Sequence, residues 1–139
     1  MGKENGQEKL PLNKLRIAII DDNQSKVRKI HELLQEKLGI NITINFPDYD
    51  PLQKCLERNP EFDFDYYLMD YCFGPDEMPL GGIYTEKLRS LRPGAKVIGV
   101  SANGYSKRFF IDAGAIGFTE NLVDIPNLIT NYETRTNKA

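Results

Sequence analysis

Residues 15–22 read Leu-Arg-Ile-Ala-Ile-Ile-Asp-Asp, a short apolar run closed by two adjacent carboxylates. An unbroken apolar run of this length predicts a strand buried on both faces, as in a parallel sheet. The acids mark where that strand leaves the core. The same pattern returns further on. Tyr66-Tyr67-Leu68-Met69 runs into Asp70, and Val97-Ile98-Gly99-Val100 runs into Ser101.

Amphipathic segments separate these runs. Val27, Ile30, Leu34 and Leu38 share one face of a helix predicted over 25–38, with Gly39 as its C-cap. The second strand, 40–46, alternates Ile40, Ile42, Ile44 and Phe46 with polar residues, as on a sheet edge. Asp50, Pro51 and Gln53 read as the N-cap, first-turn proline and capping-box partner of a helix ending near Arg58. The third strand spans 66–70. Residues 71–82 carry Gly74, Pro75, Asp76, Glu77 and Pro79 and read as a long, mobile, solvated loop. A helix over 83–91, a strand over 96–101, a short helix over 105–112, a strand over 115–119 and a helix over 124–132 complete the chain. Residues 1–13 read as a disordered lead-in before one domain, 14–139. Five strands alternating with five helices imply an α/β, doubly wound, flavodoxin-like parallel sheet in the order 2-1-3-4-5. In that order the first and third strands are neighbours, and the crevice lies at their carboxyl ends.

Composition narrows the partners. The chain has 139 residues, a formal net charge of −2 and 40% hydrophobic residues. That balance gives no basic stripe for direct nucleic-acid binding and no anionic-membrane ligand. Cys55 and Cys72 make no disulfide framework, so a reducing, cytoplasmic setting is expected. Lone His31 falls on a charge-rich helix and reads as a solvated or half-buried side chain rather than a ligand.

The chemistry sits at the strand ends. Asp21, Asp22 and Asp70 would converge in the crevice, where like charges raise one another's pKa. A hard divalent cation relieves that repulsion, and oxygen donors without a His or Cys set favour Mg²⁺ or Mn²⁺. One carboxylate could then act as a nucleophile and form an acyl phosphate. Helix-capping loop carboxylates are the plainer alternative.

At this point the sequence resembles a known family. IAIIDDNQ (17–24), DYYLMD (65–70), VIGVSA (97–102) and AGAIGFTEN (113–121) look like the motifs of the receiver domain of two-component response regulators, in the family's order. The resemblance covers nearly the whole expected domain. It implies that Asp22 and Asp70 bind Mg²⁺ directly, Asp21 through water, with the backbone carbonyl of Cys72 as a further ligand. It also implies that Asp70 accepts phosphate from a histidine kinase or phosphotransfer protein. Ser101 would bond the phosphoryl group, and Phe118 would be the aromatic that changes rotamer with it. The chain departs from the pattern where the family carries a Lys, for here stands Asn121, followed by Leu122. Asn donates a neutral hydrogen bond and no charge. Lys107 is the sequence's candidate for a cation that reaches across instead. The loop after Asp70 is longer than usual, and the stretch from Ser101 to Gly114 is shorter, so the fourth helix should be truncated.

The expected function is a stand-alone, phosphorylation-controlled receiver, a monomer or weak dimer. It would signal to a downstream protein through its fourth helix, fifth strand and fifth helix. Enzymatic activity would go no further than its own phosphorylation and dephosphorylation. Asn121 favours one rival, a pseudo-receiver that works by contact without phosphate. A phosphatase with an aspartate nucleophile is a weaker one, because such enzymes resemble Asp-x-Asp after the first strand and Asp21-Asp22 are adjacent.

Overall fold

The computed structural model describes residues 10–137. Seven strands and five helices are labelled here in chain order: β1 (Arg16–Ile20), α1 (Gln24–Leu38), β2 (Ile42–Phe46), α2 (Tyr49–Arg58), β3 (Tyr66–Met69), β4 (Cys72–Phe73), β5 (Met78–Pro79), α3 (Gly81–Leu91), β6 (Val97–Val100), α4 (Lys107–Asp112), β7 (Gly117–Thr119) and α5 (Ile125–Asn137). Five strands form one parallel sheet in the order β2-β1-β3-β6-β7. Counted by the strands of that sheet alone, this is the expected 2-1-3-4-5. Of the lead-in, residues 1–9 lie outside the described residues, while Leu12–Lys14 form a single 3-10 turn with Leu12 packed on the core.

Alternation along the central strands builds two cores. Ile17 and Ile19 of β1, with Tyr66 and Leu68 of β3, face one side and meet Ile30 and Leu34 of α1 and Ile125 and Ile129 of α5. Ala18, Ile20, Tyr67 and Met69 face the other and meet Leu52 and Leu56 of α2, Leu88 of α3 and Phe110 of α4. Strands covered on both faces read as continuous apolar runs for this reason. β2 is an edge strand, and Ile42 and Ile44 remain 48% and 44% exposed while Phe46 is buried.

Two local expectations need correction. The N-cap of α2 is Asp48, whose carboxylate accepts from the Tyr49 N–H at 2.8 Å, two residues before the expected Asp50. Pro51 then falls within the first turn, where a missing N–H leaves no intrahelical bond unmade. Gln53 bonds Glu57 instead of reaching back. The second correction concerns 71–82, which is not a free loop. It holds the antiparallel hairpin β4–β5, and Phe73 is buried against the Tyr84 ring, 5.0 Å between centroids. Two aromatics, Tyr71 and Phe73, ahead of prolines and glycines give too short a pattern to announce docking. Asp76 and Glu77 do stay exposed.

α4 is short, as the missing residues before Gly114 require, and follows a 3-10 turn at Gly104–Ser106. Its Phe110 ring lies flat over β6 at Gly99, where an added Cβ would come within 2.5 Å of ring carbons. Gly99→Ala should therefore lower the unfolding free energy in urea by about 1–3 kcal/mol, the usual cost of overpacking a rigid core. An unchanged midpoint would mean that the ring moves aside freely.

Candidate functional site

β1 and β3 are hydrogen-bonded neighbours, with Ile20 beside Met69 in the register. The residues that follow them, Asp21 and Asp70, are therefore side by side. Asp21, Asp22 and Asp70 each offer a carboxylate oxygen within 4.8 Å of the others. Asp21 is buried, Asp70 half-buried and Asp22 exposed. The sequence placed these three correctly because strand order and polar strand ends suffice to locate them.

Each acid has different partners. Asp21 is fully engaged: Oδ1 accepts from the Asn23 N–H at 3.0 Å, and Oδ2 pairs with Lys26 Nζ at 2.8 Å. Asp70 Oδ1 accepts from the Tyr71 N–H at 2.8 Å and from Lys26 Nζ at 3.0 Å. Among the described residues no donor meets Asp70 Oδ2. Asp22 Oδ2 accepts from the Gly74 N–H at 3.1 Å, which ties the β4–β5 hairpin to the acids. Cys72 lies opposite Pro79, a residue with no N–H to give to the Cys72 carbonyl. Burial pushes the Cys72 thiol up, which disfavours a reactive thiolate.

Lys26 is the residue that the sequence reading missed. It lies in the first turn of α1, and Asn23, the N-cap, accepts from its backbone N–H at 3.1 Å. Its ammonium bridges Asp21 and Asp70 and donates to the Val100 carbonyl at 3.1 Å. In a charge-rich helix, one lysine among several gave no signal of its own. Lys107, the sequence's candidate, is exposed, and its side chain has no ion pair or hydrogen bond among the described residues.

Ser101 and Asn121 stand at the ends of the next two strands. Ser101 is buried, and its hydroxyl accepts from the Asn103 N–H at 3.1 Å, a strand-end capping contact. Asn121 is exposed. Its backbone N–H donates to Thr119 Oγ1 at 3.0 Å, while its side chain has no hydrogen bond among the described residues. Phe118 is half-buried and tilted against Phe110, with centroids 5.9 Å apart. His31 is half-buried on α1 and bonds Thr43 through Nδ1 at 2.7 Å. No described helix is long and apolar enough to cross a membrane.

No protein-family model matches the chain, and no curated protein sequence matches it. Solved structures do. The BeF3-activated receiver domain of DrrB, a Thermotoga maritima protein, is 21% identical with a TM-score of 0.66, over 86% of this chain and 97% of that one. The receiver domain of NtrX from Brucella abortus is 16% identical, TM-score 0.69, over 86% and 98%. A mutant receiver domain of the histidine kinase CKI1 from Arabidopsis thaliana is 23% identical, TM-score 0.68, over 88% and 92%. The chain has the receiver-domain fold.

Electrostatics leave a measurable trace. Burial pushes the Asp21 carboxyl up to about 6; the Lys26 ammonium opposes the rise, and the Asp70 charge adds to it. Unfolded, the same carboxyl titrates near 4. Between these values the folded state binds more protons than the unfolded, so this group's contribution to stability falls as pH rises. In EDTA, urea unfolding from about pH 5 to about pH 7 should lose less stability in Asp21→Asn than in wild type, by on the order of 1 kcal/mol. Equal losses in the two proteins would show that Asp21 titrates normally.

Proposed function

We propose that this chain is a signalling receiver, taking a phosphoryl group on Asp70 from a histidine kinase or phosphotransfer protein and relaying it through protein contacts. The observation that carries the reading is the convergence of three carboxylates at the ends of adjacent strands, with one acid, Asp70, keeping an oxygen clear of donors. A carboxylate held by two donors on one oxygen presents the other as a nucleophile. Autophosphorylation from a small donor and the reverse hydrolysis are its only catalysis in this proposal.

The donor set suits a hard divalent ion. Three carboxylate oxygens, with no His or Cys in the group, match Mg²⁺ or Mn²⁺, and the Cys72 backbone carbonyl would be a further ligand. Asp22 and Asp70 would hold the ion directly and Asp21 through water. Bound there, it supplies charge neutralisation to the incoming phosphoryl oxygens. Ser101 would exchange its Asn103 contact for the phosphoryl group, and Phe118 would follow it. The exposed Phe109 and Ile111 of α4 would then belong to the surface read by the downstream protein.

One observation favours the pseudo-receiver reading. The side chain of Asn121 is exposed, without a partner among the described residues and without charge. Intact mass separates the readings. With acetyl phosphate and Mg²⁺, wild type should gain the mass of one phosphoryl group, lost on treatment with hydroxylamine, and Asp70→Asn should gain none. A wild-type chain that stays unmodified is a pseudo-receiver. Asp22→Ala should abolish the heat of Mg²⁺ binding in calorimetry, and retained binding would place the ion elsewhere.

A further inference from the structure

Lys26 stands in a place where helix physics does not want it. A cation in the first turn faces the positive end of the helix dipole, and α1 has no acid in that turn to offset it. Its side chain is only 18% exposed, so the ammonium has lost most of its water as well. The compensation lies wholly across the site: Asp21 at 2.8 Å, Asp70 at 3.0 Å and the Val100 carbonyl at 3.1 Å. Among the described residues no other cation pairs with these acids.

We infer that Lys26 is the catalytic cation of this site, supplying from α1 the positive charge that residue 121, an Asn, does not. This rests on the receiver reading above. In the transfer, an Asp70 carboxylate oxygen forms the new bond to phosphorus while the bond from phosphorus to the donor atom breaks: with acetyl phosphate that atom is an oxygen and acetate leaves with the electron pair, and with a phosphohistidine it is an imidazole nitrogen, which keeps the pair. Lys26 keeps its proton throughout. It fixes Asp70 through Oδ1 beforehand and pairs with a phosphoryl oxygen afterwards, moving a short way along one flexible stem. The same ammonium competes with a divalent ion for the carboxylates of Asp21 and Asp70, so it sets the ion's affinity as well.

The test is the rate of acetyl phosphate labelling with saturating Mg²⁺, read by intact mass on wild type, Lys26→Met and Lys26→Met/Asn121→Lys. Loss of the cation should slow labelling about a hundredfold, the lower end of what loss of one preorganised electrostatic donor costs. Returning a Lys at 121 should recover part of it. Lys26→Met should also bind Mg²⁺ more tightly than wild type, a gain that mere loosening of the fold would not produce. If wild type labels on Asp70 and Lys26→Met labels at the same rate, the inference falls while the receiver reading stands. If wild type does not label at all, both fall. Should Lys26→Met fail to fold, wild type alone decides: the Lys26 Nζ resonance should shift when beryllofluoride is added to protein already saturated with Mg²⁺, and a resonance unmoved by that addition overturns the assignment.

Discussion

A parallel sheet covered on both faces leaves no room along its length for a charged side chain. The two cores on β1 and β3 are continuous, from Ile17 to Ile20 and from Tyr66 to Met69, and each of these residues is at most 1% exposed. Polar groups can therefore appear only where the strands stop. Because β1 and β3 pair directly, their stops coincide, and Asp21 comes to rest beside Asp70. Everything at this end of the molecule answers that forced meeting of like charges. Lys26 bridges the two acids, Tyr71 and Asn23 give them backbone donors, and the β4–β5 hairpin brings the Gly74 N–H to the third acid, Asp22.

The opposite end of the sheet holds its acids differently. Tyr66 donates its hydroxyl to Glu133 at 2.5 Å, and Lys96 lies 3.7 Å from the same carboxylate and over the Tyr66 ring. There the carboxylate meets a hydroxyl and a cation, contacts that tie α5 to β3. At the site end three acids stand together, and the one ammonium, that of Lys26, pairs with two of them. A surplus of that kind does not serve packing, and it is the sort of local inconsistency that functional sites carry.

The sheet, its order and the acid cluster were legible in the sequence, because all three follow from short-range patterns. Apolar runs define strands, alternation with helices defines parallel pairing, and polar residues at run ends define the crevice. The features missed depend on longer reach. Phe73 docks through a single ring against Tyr84, a contact no periodicity announces. Asp48 caps α2 in place of Asp50 because three acidic or proline residues compete within four positions, and only the backbone chooses. Lys26 is the most instructive miss. The departure at Asn121 points to Lys107, close in sequence to Ser101, whereas the cation beside the acids comes from α1, whose first turn follows Asp21, Asp22 and the N-cap Asn23.

The position of Lys26 also bears on the order in which the chain is made. Asp21, Asp22, Lys26 and Asp70 all precede α3, and the Val100 carbonyl completes the ammonium's contacts from β6. On a ribosome, the acids and their counter-charge emerge before β7 and α5 exist. The charged groups of the cluster thus all lie between residues 21 and 70, about the first half of the chain. From beyond residue 93 the cluster receives only the Val100 carbonyl among the described contacts, and the acid of α5, Glu133, is committed instead to Tyr66 and Lys96 at the other end of the sheet.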